Sequence, residues 1–276
     1  MVLYKMQAED SPAYRTLQQS LQADSSLARQ IGWMICDNTP YAQTSPADFA
    51  GSYVQDMSNP GLARQYNLAL QTAEARGDTW LMLLDQDTRL TSEYLQEAAT
   101  LAESLADNEQ VVAFVPKLMQ QGVVLSPHLP ITLRHPKALD RDAHGVADTR
   151  IQPYNSGAVL RVSSLRGAGG FPERFWLDYL DHATFHALQA NGKQVFVMHA
   201  VLEHELSSNE RERPEDAAFV ARQQNVLAAE RAYYREYGTV RERFYHHVRL
   251  AWRGLQALRG GAWTRGAMLL KAAVRP

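Results

Sequence analysis

Cysteine is almost missing from this chain. The single Cys36 excludes a disulfide scaffold and a zinc site built from cysteines. Long apolar runs are missing too: none approaches the ~18 residues that a membrane-spanning helix needs. No basic stretch followed by an apolar one opens the sequence, so no signal peptide is read there. The 16 Gly and 12 Pro follow no period, which excludes a collagen-like or low-complexity fibre. Neither common phosphate-loop pattern is present, G-x-G-x-x-G or G-x-x-x-x-G-K-[ST], and Gly167-Ala168-Gly169-Gly170 satisfies neither. G-x-S-x-G is absent as well, which argues against a nucleophile-elbow hydrolase. Together these absences predict a cytoplasmic protein.

What is present suffices for a real core. The 276 residues are 45% apolar and 21% charged, which suits one large domain or one domain with an appendage. The net charge of −2 hides a split. Residues 240–276 hold eight basic residues and one acid, Glu242, so the tail carries +7 and the remainder −9. An acidic body with a basic tail predicts that the tail meets something anionic.

Apolar runs alternate with helix-like segments. Val2 to Tyr4 begins one run; Ile31 to Cys36 is a second and stops at Asp37-Asn38-Thr39-Pro40, as a buried strand entering a loop does. Between them, Tyr14, Leu17, Leu21 and Leu27 recur at helical spacing. Asn59-Pro60 is placed to cap and open a helix whose face carries Leu62, Tyr66, Ala69 and Ala73. Trp80 to Leu84 is unbroken apolar, the signature of a parallel strand covered on both faces. Helix Leu95–Leu105 and strand Val111–Val115 follow. The segment 118–152 holds three of the nine His and little periodicity, and reads as a long irregular excursion near the site. A further strand is expected within Gln152–Arg161, a helix at Ala183–Ala190 and a strand at Val195–Met198. Two closing helices, Glu215–Tyr237 and Val240–Leu258, complete the chain. The order predicts a doubly wound α/β sheet, whose ligands sit beyond the C-terminal strand ends.

Several polar residues fall at that edge. Asp85 and Asp87 follow the third strand directly, and acids at i and i+2 on a strand end share a side, where they can hold a hard divalent cation. Asp37 and Asn38 end the second strand, where an α/β nucleotide site holds base or ribose, or where an Asx turn forms. Asp178 and Asp181 precede a helix-periodic segment and read either as helix N-terminal acids or as a general base. His204 returns to the same edge after one helix and one strand, with His199 as second choice.

In order, Val2-Leu3-Tyr4, Cys36-Asp37-Asn38, Asn59-Pro60-Gly61-Leu62-Ala63 with Asn67, Leu83-Leu84-Asp85-Gln86-Asp87-Thr88, Asn155-Ser156-Gly157, Gly169-Gly170-Phe171-Pro172-Glu173-Arg174-Phe175 and Leu177-Asp178-Tyr179-Leu180-Asp181-His182, then His204, make a recognisable set. From Val2 to about His204 the chain resembles family 2 glycosyltransferases of the GT-A fold. The D-Q-D-T and L-D-Y-L-D-H forms resemble the rhamnosyltransferase-like branch most.

The resemblance implies a GT-A, Rossmann-like, mostly parallel sheet with helices on both faces over residues 1–210. A basic, amphipathic C-terminal helical extension then spans 211–276. It implies inverting transfer of a sugar, rhamnose from dTDP-rhamnose, to an acceptor hydroxyl in cell-surface polysaccharide or glycolipid assembly. In that reading Tyr4, Asp37, Asn38, Asn59, Gly61, Asn67, Asp85 and Gln86 bind a dTDP- or UDP-linked sugar. Asp87 and His204 hold Mg²⁺ or Mn²⁺ on the diphosphate, Asp181 is the base, and Asn155, Ser156, Gly157, Trp176 and Asp178 line the acceptor side. A carboxylate in a partly dehydrated pocket is expected to have a raised pKa. Two departures stand out: Ala183 replaces an acid, and His186-Ala187 fills a stretch where an Arg is common. Q-x-x-R-W is absent, so limited rather than processive addition is expected.

In the tail, Val240, Phe244, Val248, Trp252, Leu255 and Leu258 trace one helical face with Arg249, Arg253 and Arg259 off it. Such a helix either lies on the anionic inner face of the plasma membrane, where a lipid-linked acceptor would be found, or packs as a closing helix. Nucleic acid is not expected, since only the tail is basic. Two rival classes share parts of the pattern. A metal-dependent nucleotidyltransferase calls for a glycine-rich basic loop after the first strand, which Tyr4-Lys5-Met6-Gln7-Ala8 is not. A non-catalytic nucleotide-sugar-binding module would show affinity without turnover.

Overall fold

The computed structural model describes residues 1–47, 49–130, 137–203 and 217–274. They form two compact units, 1–129 with 138–206 and 130–137 with 207–276. His204 and the expected domain boundary at 210/211 lie outside the described residues.

In the first unit the chain runs β1 (Val2–Leu3), α1 (Pro12–Ala23), α2 (Ser25–Gln30), β2 (Met34–Asp37), β3 (Ser52–Gln55), α3 (Leu62–Arg76), β4 (Trp80–Met82) and α4 (Ser92–Ser104). It continues through β5 (Val111–Gln120), β6 (Val123–Ser126), β7 (Gly145–Val146), β8 (Val159–Arg161), α5 (Val162–Gly167), α6 (Leu180–Leu188) and β9 (Gln194–Glu203). β1, β2 and β3 pair in parallel. A second sheet has the order β4-β8-β5-β9-β7, with β6 added to β5. Among the described residues one parallel bridge, from Val2 to Asp85, joins the two, with Val2 N donating to Leu84 O at 3.3 Å. β5 and β9 are parallel, and β8 runs against both β4 and β5, so β1–β5 and β9 all point one way. The parallel-rich α/β sheet read from the sequence is therefore present.

Several details differ from the expected elements: β9 extends beyond the expected Val195–Met198 at both ends, and β6 and β7 lie within the segment 118–152 read as irregular. β5 is twice as long as its apolar run suggests, because Pro116 sits at a register shift between Val115 and Lys117 and the ladder resumes beyond it. Proline lacks a ladder donor and is tolerated at such a bulge. The partner strand β9 bulges opposite: the Glu97 carboxylate accepts from His199 N at 2.7 Å and Ala200 N at 2.8 Å. Buried Lys117 donates to Met198 O at 2.6 Å and Ala143 O at 2.8 Å, and its burial lowers its pKa. β8 occupies only the end of the expected 152–161 strand, and β3 carries too few apolar residues to announce itself.

Helices pack on the strands in two groups. Leu17, Leu27, Tyr94, Leu95 and Ala98 from α1, α2 and α4 join Phe114, Val159, Met198 and Leu202 in one core. α3 packs on β4 and α5, and α5 on β8. α3 begins at Leu62 with Gly61 as its N-cap, two residues later than an Asn59-Pro60 start implies.

The second unit holds α7 (Ala217–Tyr237), α8 (Val240–Arg259) and α9 (Trp263–Val274), one helix more than expected. Thr239 opens α8 with a capping box closed by Glu242. α8 and α9 cross closely at glycines. A Cβ on Gly254 would lie 2.8 Å from Leu270 Cγ, and one on Gly266 2.5 Å from Leu258 Cδ2. No helix among the described residues is long and apolar enough to cross a membrane.

Candidate active site

The loops after β1, β2 and β4 are tied to one another by short bonds. Tyr4 N donates to Gln86 Oε1 at 2.8 Å, Lys5 N to Thr39 Oγ1 at 2.8 Å, and Asn38 N to Leu3 O at 2.8 Å. Ser11, the N-cap of α1, donates to Gln86 O at 2.6 Å. Tyr4, Asp37, Asn38, Asp85 and Gln86 thus meet on one edge, as the sequence implied.

Their side chains are not equally available. Buried Asp37 accepts from Thr39 N at 2.8 Å and Tyr53 Oη at 2.6 Å, one bond to each oxygen. It acts as a brace within the loop. Asn38 Oδ1 accepts from Gln65 Nε2 at 2.6 Å. Tyr4 is exposed, and Asp85, Gln86 and Asp87 are half-buried.

A second group comes from the start of α3 and the loop before α6. Asn59 is left-handed at φ 49°, and Gly61 has φ 91° with the Trp176 indole packed where a Cβ would be, 2.3 Å from Trp176 Cδ1. Leu62 N donates to Trp176 O at 2.9 Å, and Trp176 Nε1 to Asn59 O at 3.4 Å. Asn59 and Gly61 therefore form the seat of Trp176. Asn67 spends its amide on backbone: Nδ2 donates to Phe171 O at 2.9 Å and Oδ1 accepts from Phe171 N at 2.8 Å. It positions the Gly169-Gly170-Phe171 turn.

The turn at Asn155-Ser156-Gly157 lies beside Asp85-Gln86-Asp87-Thr88. The hydroxyls of Ser156 and Thr88 are hydrogen-bonded, and Gly157 N donates to Leu83 O at 2.8 Å. Tyr94 Oη donates to Gly157 O at 2.7 Å. Asn155 Oδ1 is buried with no hydrogen-bond partner among the described residues. Asp178 is half-buried in the loop that precedes α6.

Asp181 sits in the first turn of α6 with its side chain one-fifth exposed. Its Oδ1 accepts from His182 N at 2.7 Å and bonds His182 Nδ1 at 2.8 Å. Burial works to raise its pKa, but the His182 ring and both bonds outweigh that and hold it below the ordinary carboxylate value. The expectation of a raised pKa is thus corrected, because His182 faces the acid directly. Tyr179, left-handed at φ 62°, caps α6 without a side-chain bond, so neither Asp178 nor Asp181 serves as its N-cap.

Four residues that received no role in the sequence analysis join the site: Tyr66, His128 and Tyr154, and His182 of the L-D-Y-L-D-H form. Buried Tyr66 donates to Asp85 Oδ1 at 3.3 Å; burial, then Asp85, then Asp181 keep its hydroxyl protonated. The His182 ring lies 4.7 Å from the Tyr179 ring and 5.6 Å from the His128 ring, tilted by 38° and 48°. His128 is buried, with Nδ1 2.9 Å from Leu129 O, and burial lowers its pKa. Tyr154 is pushed up to about 12, by burial first and Asp181 second. Tyr66 was legible only as a helix-face residue, and His128 only through the histidine enrichment of 118–152.

Magnesium and manganese prefer oxygen ligands, and on a nucleotide they need only one or two carboxylates beside phosphate oxygens and water. Among the described residues no group of three His, Cys, Asp or Glu is arranged to hold a metal by itself. Asp85 and Asp87, on one turn, fit the looser demand.

No protein-family model matches the chain, and no curated protein matches it. Solved structures do. The crystal structure of S. aureus TarS 1-349 matches with a TM-score of 0.50 at 13% identity, covering 99% of this chain and 88% of that one. A longer S. aureus TarS structure gives 0.50 at 12% identity, over 99% and 53%. TarS 1-349 in complex with UDP gives 0.49 at 13%, over 99% and 89%. The first two likenesses concern the fold alone: the chain shares the mixed α/β architecture of the S. aureus TarS structures.

Proposed function

We propose that the chain is an inverting glycosyltransferase that moves a sugar from a nucleotide diphosphate to an acceptor hydroxyl. The observation that carries this reading is that two acids from distant segments converge on one hydroxyl: Tyr66 donates to Asp85, after β4, and the charge of Asp181, on α6, helps hold its proton. The shared fold supports it. The L-D-Y-L-D-H form favours dTDP-rhamnose as donor, with a UDP-linked sugar as the other candidate.

In this reading the loops at Tyr4, Asp37-Asn38 and Asp85-Gln86 receive the nucleoside, with Asp37 and Asn38 acting through the loop they brace. Mg²⁺ or Mn²⁺ held through Asp87, with His204 as the further proposed ligand, would neutralise charge on the departing diphosphate. Asp181 takes the acceptor proton. A carboxylate with a low pKa is ionised at neutral pH, so it is ready to accept, but it is a weak base. It therefore suits a transfer in which the bond to the leaving group is largely broken before the proton moves. Trp176, seated on Gly61 and exposed, offers an apolar platform beside the acceptor, and Asp178 and the Asn155-Ser156-Gly157 turn line the same side. The buried, unmatched Asn155 Oδ1 is a natural acceptor for a ligand hydroxyl. Acceptors are glycans or lipid-linked glycans presented at an anionic membrane surface.

A thermal-shift panel of dTDP- and UDP-linked sugars, with and without Mn²⁺, tests the assignment. A shift with one nucleotide class that Asp87→Asn removes supports it. No response to any nucleotide sinks it.

A further inference from the structure

We infer that the outward face of α8 is a docking surface for an anionic lipid bilayer. The inference rests on the transferase reading only for its purpose, bringing the enzyme to its acceptor; its evidence is separate. Val240, Phe244, Val248, Trp252 and Leu255 follow one another at spacings of four and three along α8, and all are exposed, Phe244 by 63% and Trp252 by 50%. At ~1.5 Å per residue the stripe is about 22 Å long. Trp263, 69% exposed, adds a further aromatic at the start of α9. Leu258, expected on this face, instead packs against Gly266 of α9.

The inward side of the same helix has its own apolar anchor, Leu250, fully buried with Leu227, Leu269 and Ala272, and beside it a polar cluster. Glu230 of α7 is buried and takes Arg249 at 2.9 Å, His246 at 3.5 Å and Arg253 at 3.6 Å. An ordinary surface helix buries its apolar stripe and shows its charges to water. α8 already buries Leu250 and turns Arg249 and Arg253 toward Glu230, and still leaves a second, longer apolar stripe outside.

Charge complementarity identifies the occupant. Arg241, Arg243, Arg259, Arg265 and Lys271 are exposed on α8 and α9. The one acid of the tail, Glu242, is spent in the capping box, with Oε2 2.7 Å from Thr239 N. A second copy of this surface would bring like charge against like charge. An apolar strip carrying Phe and Trp, rimmed by cations, matches a bilayer interface with anionic headgroups, in whose plane such helices lie.

The test is flotation of the full chain with vesicles of phosphatidylcholine alone and with about 30% phosphatidylglycerol. The expected result is at least about tenfold stronger binding to the anionic vesicles, weakened about tenfold by ~0.5 M salt. Phe244→Glu/Trp252→Glu is expected to reduce binding at least about tenfold without lowering the melting temperature, since both side chains are exposed. The salt dependence of the unmodified chain tests the idea without any substitution. Equal binding to both vesicle types, no binding to either, or undiminished binding by the double variant overturns it. So does a concentration-dependent dimer, formed without vesicles, that the same variant disperses. Nucleotide-sugar thermal shift is scored separately. Vesicle binding without a nucleotide response leaves the docking surface standing and removes the transferase reading; the reverse result does the opposite.

Discussion

At Asp181 two opposed effects meet on one carboxylate. Burial alone would raise its pKa, and a raised value is what a general base at neutral pH is usually given. His182, the next residue, reverses the sign through its ring and its backbone N–H. Replacing the ring, His182→Leu, removes the larger opposing interaction, so the Asp181 pKa should rise and the acidic limb of the kcat/KM profile should move to higher pH. An unmoved limb would show that Asp181 is not the group titrating in catalysis. Asp181→Asn should lower kcat by about a hundredfold or more while the nucleotide thermal shift persists. That Asp181 comes close enough to Asp85 for both to act on the Tyr66 hydroxyl follows from its place in the sequence, ahead of a helix and a returning strand. The direction of its pKa does not, because it depends on the rotamer of the neighbouring imidazole and on His128, which arrives from a segment with no periodic signal.

Among elements, the start of α3 and the loop before α6 depend on each other. Gly61→Ala would place a methyl group 2.3 Å from the Trp176 indole at a φ of 91°. A rise in acceptor KM is expected, with a stability loss of roughly 1–3 kcal/mol from backbone strain. Steady-state kinetics against a denaturation series separates the two effects. Asn67→Ala would strip both backbone groups of Phe171 of their partner, a cost of about 2 kcal/mol or more, read from the urea midpoint. The strands whose apolar runs are continuous could be read from sequence. β5 was cut short at Pro116, because a single chain does not reveal that a bulge will absorb the proline, and the clamp of Lys117 and Glu97 on that bulge comes from residues far apart in sequence.

For the molecule as a whole, the charge division between body and tail takes a physical form in the second unit. The Glu230 carboxylate is held down to about 2; burial opposes this, and His246, Arg253 and Arg249 more than offset it. Its ordinary value is 4.5, so its contribution to stability is complete above that pH and is lost as pH falls from 4.5 towards 2. The contribution is on the order of 3 kcal/mol. Circular-dichroism melts at pH 7 and in the acid range should show Glu230→Gln to be much less stable than the parent at neutral pH, with the gap closing as the pH falls. A constant gap would mean that the pair does not titrate in this range. The basic composition of the tail was visible in the sequence. Which arginines turn inward was not, since that is decided by the buried acid on another helix.

Among the described residues, the sheet of the first unit is zipped by one tooth where β1 meets the end of β4, the Val2–Asp85 bridge. A line so weakly fastened lets β1, β2 and β3 breathe without opening β5, β8 and β9. In hydrogen-exchange mass spectrometry the amides of β1–β3 should then form a faster class than those of β5 and β9. The Tyr4–Gln86 contact lies across that line. A nucleotide seated there would grip both edges at once, so donor binding should register as slowed exchange in β1–β3, whether or not any atom of the backbone is displaced.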